Sequence, residues 1–386
     1  MNASHPAQNP VRFIGLFPDV LGIGGVQEVS RQTIRALLEI SAPSGWSPGL
    51  LGLNDPPGVQ DFSAGAHKIN FRGFGRSKVR FVLAALQNAA TKPRVVLAAH
   101  PNLAPPAAWM KRLAPQMKVI VMAHGVDVWQ PLPPRRRAAL LAADLVLAPS
   151  TSTVQKLTEV QGVPPEKIRK IPWPLDPDVL SMADAPEPLP RPQGFPPSLV
   201  ILTVGRWATS EKYKGTDDLI RSLAQLRAAF PGLNLVAVGA GDDLPRLQKI
   251  AAELGVSGSA KFLTGLSKAD LAACYAHADI FALPSTSEGY GLVFLEAMAF
   301  GKSIVAAAAG GSTDLVEDRV NGILVPPRDQ AALAQALERL LHDDSLRAAL
   351  GRRGAEIVRR KYQFNLFQSQ LASILASCGL DSLPPP

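Results

Sequence analysis

Short, unbroken apolar runs alternate with helix-period segments along almost the whole chain, and few architectures accommodate that pattern. In the first half VRFIGLF, RVVLAAH, KVIVMAHG and DLVLAPS have the continuous apolar character of strands buried on both faces. GVQEVSRQTIRALLEI and KVRFVLAALQNAA stand between them with apolar residues at helical spacing. The second half repeats the theme. LVILTVGRW, NLVAVGAG, AKFLTGL, DIFALPS, SIVAAAAGG and GILVPP read as strands, with GTDDLIRSLAQLRAAF, DLPRLQKIAAELG and SKADLAACYAHA as helices between them. Such alternation predicts an α/β fold of parallel sheets covered by helices, here as two doubly wound, Rossmann-like modules.

At 386 residues the chain exceeds what one core holds, about 250–300 residues, which also argues for two domains. The proline-rich stretch APEPLPRPQGFPPS, 185–198, cannot continue a helix or a central strand and reads as a linker. The expected division is therefore an N-terminal domain over 1–184, a linker over 185–198 and a C-terminal domain over 199–362. A helix and tail over 363–386 are left free to pack back on the N-terminal domain. Ligands of open α/β sheets bind where loops and helix N-termini meet at the carboxyl ends of strands, so functional residues are expected directly after strands, in a cleft between facing modules.

Composition excludes several classes. A hydrophobic fraction of 47% with 19% charged residues is that of a globular chain. Two cysteines, Cys274 and Cys378, rule out a disulfide scaffold and a cysteine-built metal centre. The first residues lack the basic start and apolar stretch of a signal peptide, and no run approaches the roughly 18 apolar residues of a spanning helix, so a cytoplasmic location is expected. The net charge of +8 is uneven: residues 1–180 hold 20 basic and 11 acidic side chains, and residues 181–386 hold 20 and 21. The excess in the first half fits an anionic partner, such as a membrane surface or a phosphate-bearing acceptor, or else a merely solvated face.

Four motifs follow strands. The first is STSEGYGLVFLEAMAFGKSIV, 285–305. After the strand DIFALPS, Gly289 and Gly291 let backbone N–H groups approach a ligand at the start of a helix, where phosphate is favoured. Glu288 just before them, and Glu296 about two turns into the helix, suit hydroxyl groups rather than phosphate, and a carboxylate such as Glu296 matches the vicinal diol of a ribose. In the second motif, VGRWATSEKYKGTDDLI, 204–220, Arg206 ends a strand and Lys212 and Lys214 precede a helix, a set able to clamp a diphosphate. The third, GIGGVQEVSRQTIRAL, 22–37, is a glycine loop entering a helix. It departs from the dinucleotide fingerprint and lacks the acid expected some 20 residues on, but Gly25 suits a close backbone approach. In the fourth, VMAHGVDVW, 121–129, His124 ends a strand, where an imidazole can meet a hydroxyl or shuttle a proton. Two further strand ends carry VGAGDD, 238–243, and KFLTGL, 261–266, where backbone groups around Leu266 are placed to read a base edge. His100 and the basic loop FRGFGRSK, 71–78, are candidates for touching an acceptor, whereas PPRRRAAL, 133–140, reads as a surface helix start.

Taken together, EGYGLVFLE, the VGR…KG pair and AHGVDVW resemble the retaining GT-B glycosyltransferases of family four, over a span from the glycine loop at 22–25 to about residue 362. The resemblance implies transfer of a sugar from a nucleoside-diphosphate sugar to an acceptor, a sugar or a lipid-linked or polysaccharide precursor, with retention at the anomeric carbon. It implies that Arg206 and Lys214 grip the donor diphosphate, with Lys212 a rival to Lys214 because the loop is longer than the common form. Glu288 would lie beside the donor sugar. Gly289, Tyr290, Gly291 and Leu292 would line sugar and phosphate, and Glu296 would hold the ribose. Gly25 would approach the phosphate from the other domain, and His124 would contact the donor sugar. Leu266 would lie near the base. No cofactor and no metal are expected. KIPWPLDP departs from the family's usual Asn-Gly-[Val/Ile]-Asp, with Trp173, Pro174, Leu175 and Asp176 in those positions. An acceptor on an anionic carrier would suit the basic first half, as a peripheral contact with the inner membrane face. The nearest rival is a nucleotide-sugar epimerase of similar two-domain shape. A nicotinamide-dependent dehydrogenase is disfavoured by the broken fingerprint, and a nucleic-acid binder by the scarcity of aromatics and of any binding module.

Overall fold

The computed structural model describes residues 13–44, 46, 48–64 and 67–380. They form two compact units, and the chain passes from the first to the second at Pro174/Leu175 and returns at Gln363/Phe364.

In the first unit the strands are β1 (Phe13–Phe17), β2 (Pro48–Gly52), β3 (Gly58–Ala64), β4 (His67–Gly73), β5 (Val95–Ala98), β6 (Lys118–Met122), β7 (Leu145–Ala148) and β8 (Ile168–Lys170). They lie in one sheet in the order β3-β4-β2-β1-β5-β6-β7-β8. All neighbours are parallel except the β3–β4 hairpin. Residues of β1 and β5 are wholly buried, as their unbroken apolar runs require. Ile14, Leu16, Val96, Phe81, Met110 and Val121 share one core. Strand order reverses between β1 and β5, so the loop containing Gly24 and Gly25 and the loop containing His100 flank the switch point of this sheet.

In the second unit the strands are β9 (Val200–Val204), β10 (Asn234–Val238), β11 (Ala260–Leu263), β12 (Ile280–Leu283), β13 (Ser303–Ala307) and β14 (Gly322–Val325). Their order is β11-β10-β9-β12-β13-β14, and every pair is parallel. This is the doubly wound order with its reversal between β9 and β12, whose residues pair at Ile280–Ile201 and Phe281–Leu202. Ile201, Ile220, Leu235, Ala282, Val305 and Leu337 belong to its core. Both units are thus the α/β, doubly wound modules that the alternating pattern predicts.

Two features differ from the reading of the sequence. The proline-rich segment 185–198 is part of the second unit rather than a passage between units. Phe195 is buried and faces His277 at 6.3 Å, the Arg191 guanidinium lies 5.9 Å from the Phe195 ring, and a His277 ring nitrogen meets the Leu189 carbonyl. The first sheet gains β2, β3, β4 and β8, so the segment 71–78 begins as strand rather than loop. These strands are short or carry alternating polar residues, and β3–β4 is an edge hairpin with one polar row. The helix Phe364–Ser377 belongs to the first unit, the domain on which the sequence reading left it free to pack. It packs on the helix Gly25–Ser41, with Phe367 edge-on to Trp173 at 6.1 Å and the Arg35 guanidinium 4.7 Å from the Phe364 ring.

Candidate functional site

The loops after β9 and β12, on either side of the switch point, hold most of the residues singled out in the sequence. Leaving β9, the Gly205 N–H donates to the Val238 carbonyl and the Trp207 N–H to the Ala240 carbonyl. The Trp207 indole is buried edge-on against Phe262. The backbone on both sides of Arg206 is therefore pinned, and its side chain points outward with 70% of its surface exposed. The chain then makes a short 3₁₀ segment, Thr209–Lys214, and turns at Gly215 into the helix Thr216–Leu226. Gly215 has φ +72°, and a Cβ there would stand 2.9 Å from the Pro284 ring, so only glycine lets this loop dock on the loop after β12. The Thr286 N–H donates to the Tyr213 carbonyl at 2.9 Å and ties the two loops together.

This docking sets a cluster of four charges. The Lys214 stem runs past Gly205, and its ammonium stands 3.8 Å from Glu288 Oε2 and 4.0 Å from Glu211 Oε2. The other Glu211 oxygen accepts a hydrogen bond from Arg206 Nη2. Glu211 and Glu288 are 12% and 16% exposed, and Oε2 of each is enclosed without a hydrogen-bond partner. Burial pushes the Glu288 carboxyl above the usual range, Lys214 opposes this, and the nearby Glu211 charge adds to it. The Tyr213 phenol beside them is pushed up to about 12, first by burial and then by the same two carboxylates. Lys212 is exposed and lies outside the cluster, so Lys214 is the lysine that the fold brings to Glu288. Glu211 was not foreseen. Between Ser210 and Lys212 it reads as a solvated loop acid, and its only signal is a spacing of five from Arg206 and three from Lys214.

Beyond Glu288 the chain is held from the far side by the Gly311 N–H, which donates to the Glu288 carbonyl at 2.7 Å. The Tyr290 side chain is buried in the unit, so only its backbone faces the turn. Gly291, at φ +92°, caps the helix Leu292–Ala299. Glu296 therefore sits one turn, not two, into the helix, because the left-handed Gly291 delays the helix start. Its Oε2 accepts a 2.7 Å hydrogen bond from the phenol of Tyr275, a buried residue of the helix Lys268–His277 that the sequence does not single out. Leu266 follows β11, at the edge of the sheet two strands from β9. The chain's single Asp-x-Asp triplet, Asp176–Pro177–Asp178, is used for structure: Asp176 caps the helix Pro177–Ala183 and pairs with Lys268.

The remaining candidates lie in the first unit. His124 follows β6, its Nε2 donating to the Ala99 carbonyl at 2.7 Å, which makes Nε2 the protonated nitrogen. Asp127 accepts from the His124 and Gly125 backbone N–H groups, and the His124 ring stacks on His100 at 5.9 Å and meets Trp173 at 5.5 Å. His100 is pushed down to about 4, mainly by burial, and so is neutral near pH 7. Gly25 opens the helix Gly25–Ser41 after Gly24 at φ +145°, and the preceding turn is held by the Val20 and Leu21 N–H groups on Asp55.

The raised carboxyl of Glu288 has a consequence for stability. A folded-state acid whose pKa lies above its unfolded value holds its proton longer in the folded protein, so its stabilisation fades as pH rises from about 4.5 through the folded value. Glu288→Gln is accordingly expected to melt higher than the wild type at pH 7, by no more than a few degrees. The difference should shrink toward zero below pH 4.5, as read by thermal unfolding across pH.

Comparison with known proteins gives the family of the chain. The family model described as Glycosyltransferase Family 4 matches residues 23–179, and that described as Glycosyl transferases group 1 matches residues 190–357. The GDP-mannose-dependent alpha-(1-6)-phosphatidylinositol monomannoside mannosyltransferase of Mycolicibacterium smegmatis is 31% identical over 283 residues, covering 69% of this chain and 72% of that protein. The D-inositol 3-phosphate glycosyltransferase of Stackebrandtia nassauensis is 35% identical over 217 residues, 54% of this chain and about half, 48%, of its own length. Among solved structures, Anabaena Alr3699/HepE in complex with UDP and glucose superposes with a TM-score of 0.74 at 21% identity, covering 95% of this chain and all of that one. Sucrose-phosphate synthase from Thermosynechococcus elongatus gives 0.72 at 22%, covering 95% and 98%. These two likenesses establish the GT-B fold. Sequence and fold agree that this chain belongs to the group 1 glycosyltransferases of family four.

Proposed function

We propose that this glycosyltransferase moves a hexosyl unit from a nucleoside-diphosphate sugar to a sugar or lipid-linked acceptor, with retention of anomeric configuration and without a metal ion. The observation that carries this reading is the meeting of Arg206, Lys214 and Glu288 beside the Gly289–Gly291 turn at a helix N-terminus, on the two loops of the switch point. Arg206 and Lys214 are the cations offered to the diphosphate. The Gly289, Tyr290 and Gly291 backbone is offered to sugar and phosphate, with Leu292 beside it. Glu296, oriented by Tyr275, takes the ribose hydroxyls. Leu266, at the end of β11, belongs to the base side. In the first unit His124 is the group offered to the donor sugar, and the Gly25 loop is offered to the phosphate.

The chemistry follows from what these groups can do. Glu288 sits against Lys214, among the charges meant for the leaving group, which is a poor place for a nucleophile that must form a glycosyl ester. A front-face displacement suits the site better. The bond from the anomeric carbon to the diphosphate oxygen breaks with its electron pair going to the diphosphate. The acceptor oxygen bonds to the same face of an oxocarbenium-like centre, and its proton passes to the departing phosphate oxygen. Arg206, Lys214 and the helix N-terminus stabilise the charge that develops on the diphosphate. The alternative of a nucleotide-sugar epimerase draws no support from the family match.

The acceptor side rests on charge. No helix among the described residues is long and apolar enough to cross a membrane. The first unit carries a groove of 650 Å³ lined by Trp109, Ala108, Ala139, Arg112 and Arg135, an apolar floor with a cationic rim that suits an anionic lipid surface. The chain should sediment with phosphatidylglycerol vesicles at low salt and release at high salt. Absence of binding at low salt removes the membrane from this account.

The donor reading is tested by thermal stabilisation with UDP, GDP and ADP, GDP first because the mycobacterial relative's name specifies GDP-mannose. One of the three should raise the melting temperature, and both Glu296→Ala and Lys214→Ala should lose most of that rise. Transfer activity in Lys214→Ala should fall about 10²–10³-fold, as expected on removing one stabilising charge from the transition state. Stabilisation by none of the three, or an unchanged response in both variants, contradicts the assignment.

A further inference from the structure

We propose that Glu211 is a built-in stand-in for the donor diphosphate: its carboxylate occupies Arg206 and Lys214 until the nucleotide arrives, and donor binding has to displace it. The inference rests on the reading of this site as the diphosphate site. It adds a residue which that reading does not use.

Charge is the first argument. Arg206 and Lys214 bring two positive charges, and Glu211 and Glu288 bring two negative ones within 4.0 Å of Lys214 or in direct contact with Arg206. The cluster is neutral as it stands. A diphosphate entering a neutral cluster would meet two carboxylates at close range and gain no net attraction. With the Glu211 carboxylate swung away, the cations that remain are matched by Glu288 alone, and the phosphates find a net positive site.

Geometry is the second. Glu211 takes Arg206 with one oxygen and leaves the other enclosed, 4.0 Å from Lys214 and without a hydrogen-bond partner. Glu288 presents the same defect at Oε2. Enclosed carboxylate oxygens are ordinarily hydrogen-bonded, so this contact is under-satisfied and inexpensive to break. The backbone is arranged for that movement. Thr209 is tied to Asp242 through its N–H and its hydroxyl at 2.8 and 2.6 Å, and Tyr213 is tied to Thr286. Between these ties Glu211 departs from helical values, at φ −114° and ψ 27°. The side chain can turn out of the cluster while Arg206 and Lys214 keep their places.

A carboxylate that held Arg206 in position throughout the reaction would behave in the opposite sense, so the sign of the effect decides. The full chain, as wild type, Glu211→Gln and Glu211→Ala, is titrated with UDP, GDP and ADP and with uridine, guanosine and adenosine. The nucleoside diphosphate that binds the wild type should bind Glu211→Gln roughly threefold to tenfold tighter, the size expected for removing one partly solvated ion-pair competitor. The matching nucleoside, which has no phosphate to compete, should bind wild type and variant alike. Glu211→Ala guards against a fault particular to the amide, and should move in the same direction. Diphosphate binding that is unchanged or weaker in the variants, with the wild type binding normally, overturns the proposal and makes Glu211 a positioning residue. If no nucleoside diphosphate binds the wild type or either variant, the donor-site reading falls and this inference falls with it.

Discussion

One ammonium group organises the second unit's site. Lys214 stands between two enclosed carboxylates, and its place is set by a glycine at φ +72° that allows two loops to touch. Burying carboxylates is costly unless opposite charge is near, and Arg206 and Lys214 supply that charge. The loops carrying these groups follow β9 and β12, the neighbouring strands at which the sheet reverses its order. At such a reversal helix N-termini gather at the carboxyl ends of the strands. Architecture and electrostatics thus converge on one place.

The arrangement is not one that favours stability. Glu288 sits where burial works against its charge, and Glu211 spends one oxygen on Arg206 while the other has no hydrogen-bond partner. A chain selected for stability alone would place amides or apolar groups there. Glu296 is treated differently. It has a phenol, Tyr275, dedicated to one oxygen, which orients the carboxylate from the core side. One acid is left in an unfavourable field among the charges, and the other is braced for directional hydrogen bonds.

Much of this was legible in the sequence, for physical reasons that can be named. β1, β5, β9, β10, β12 and β13 are buried on both faces along almost their whole length, so their apolar runs are continuous and easily read. β3 and β4 form an edge hairpin with polar residues, and β8 is three residues with two exposed, so neither carries that signal. Proline density suggests a boundary at 185–198, but Phe195 and the Leu189 carbonyl fasten that stretch to the second unit, while the crossing at Pro174/Leu175 lies in the shorter proline-bearing segment KIPWPLDP. Arg206, Lys214, Glu288 and Glu296 stood out because they follow strands. Glu211 and Tyr275 did not, since a lone acid among lysines resembles a solvated loop and a tyrosine in an alanine-rich helix resembles core. Their roles come from what the fold sets opposite them.

The central claim is that the loops after β9 and β12 hold the donor's nucleoside diphosphate. A crystal structure of the chain with the nucleoside diphosphate that binds it tests this directly. The account predicts a phosphate at the start of the helix Leu292–Ala299, within hydrogen-bond reach of Arg206 and Lys214, and ribose hydroxyls on Glu296. A nucleotide seated elsewhere, or one whose ribose turns away from Glu296 while its phosphates avoid Lys214, would contradict it.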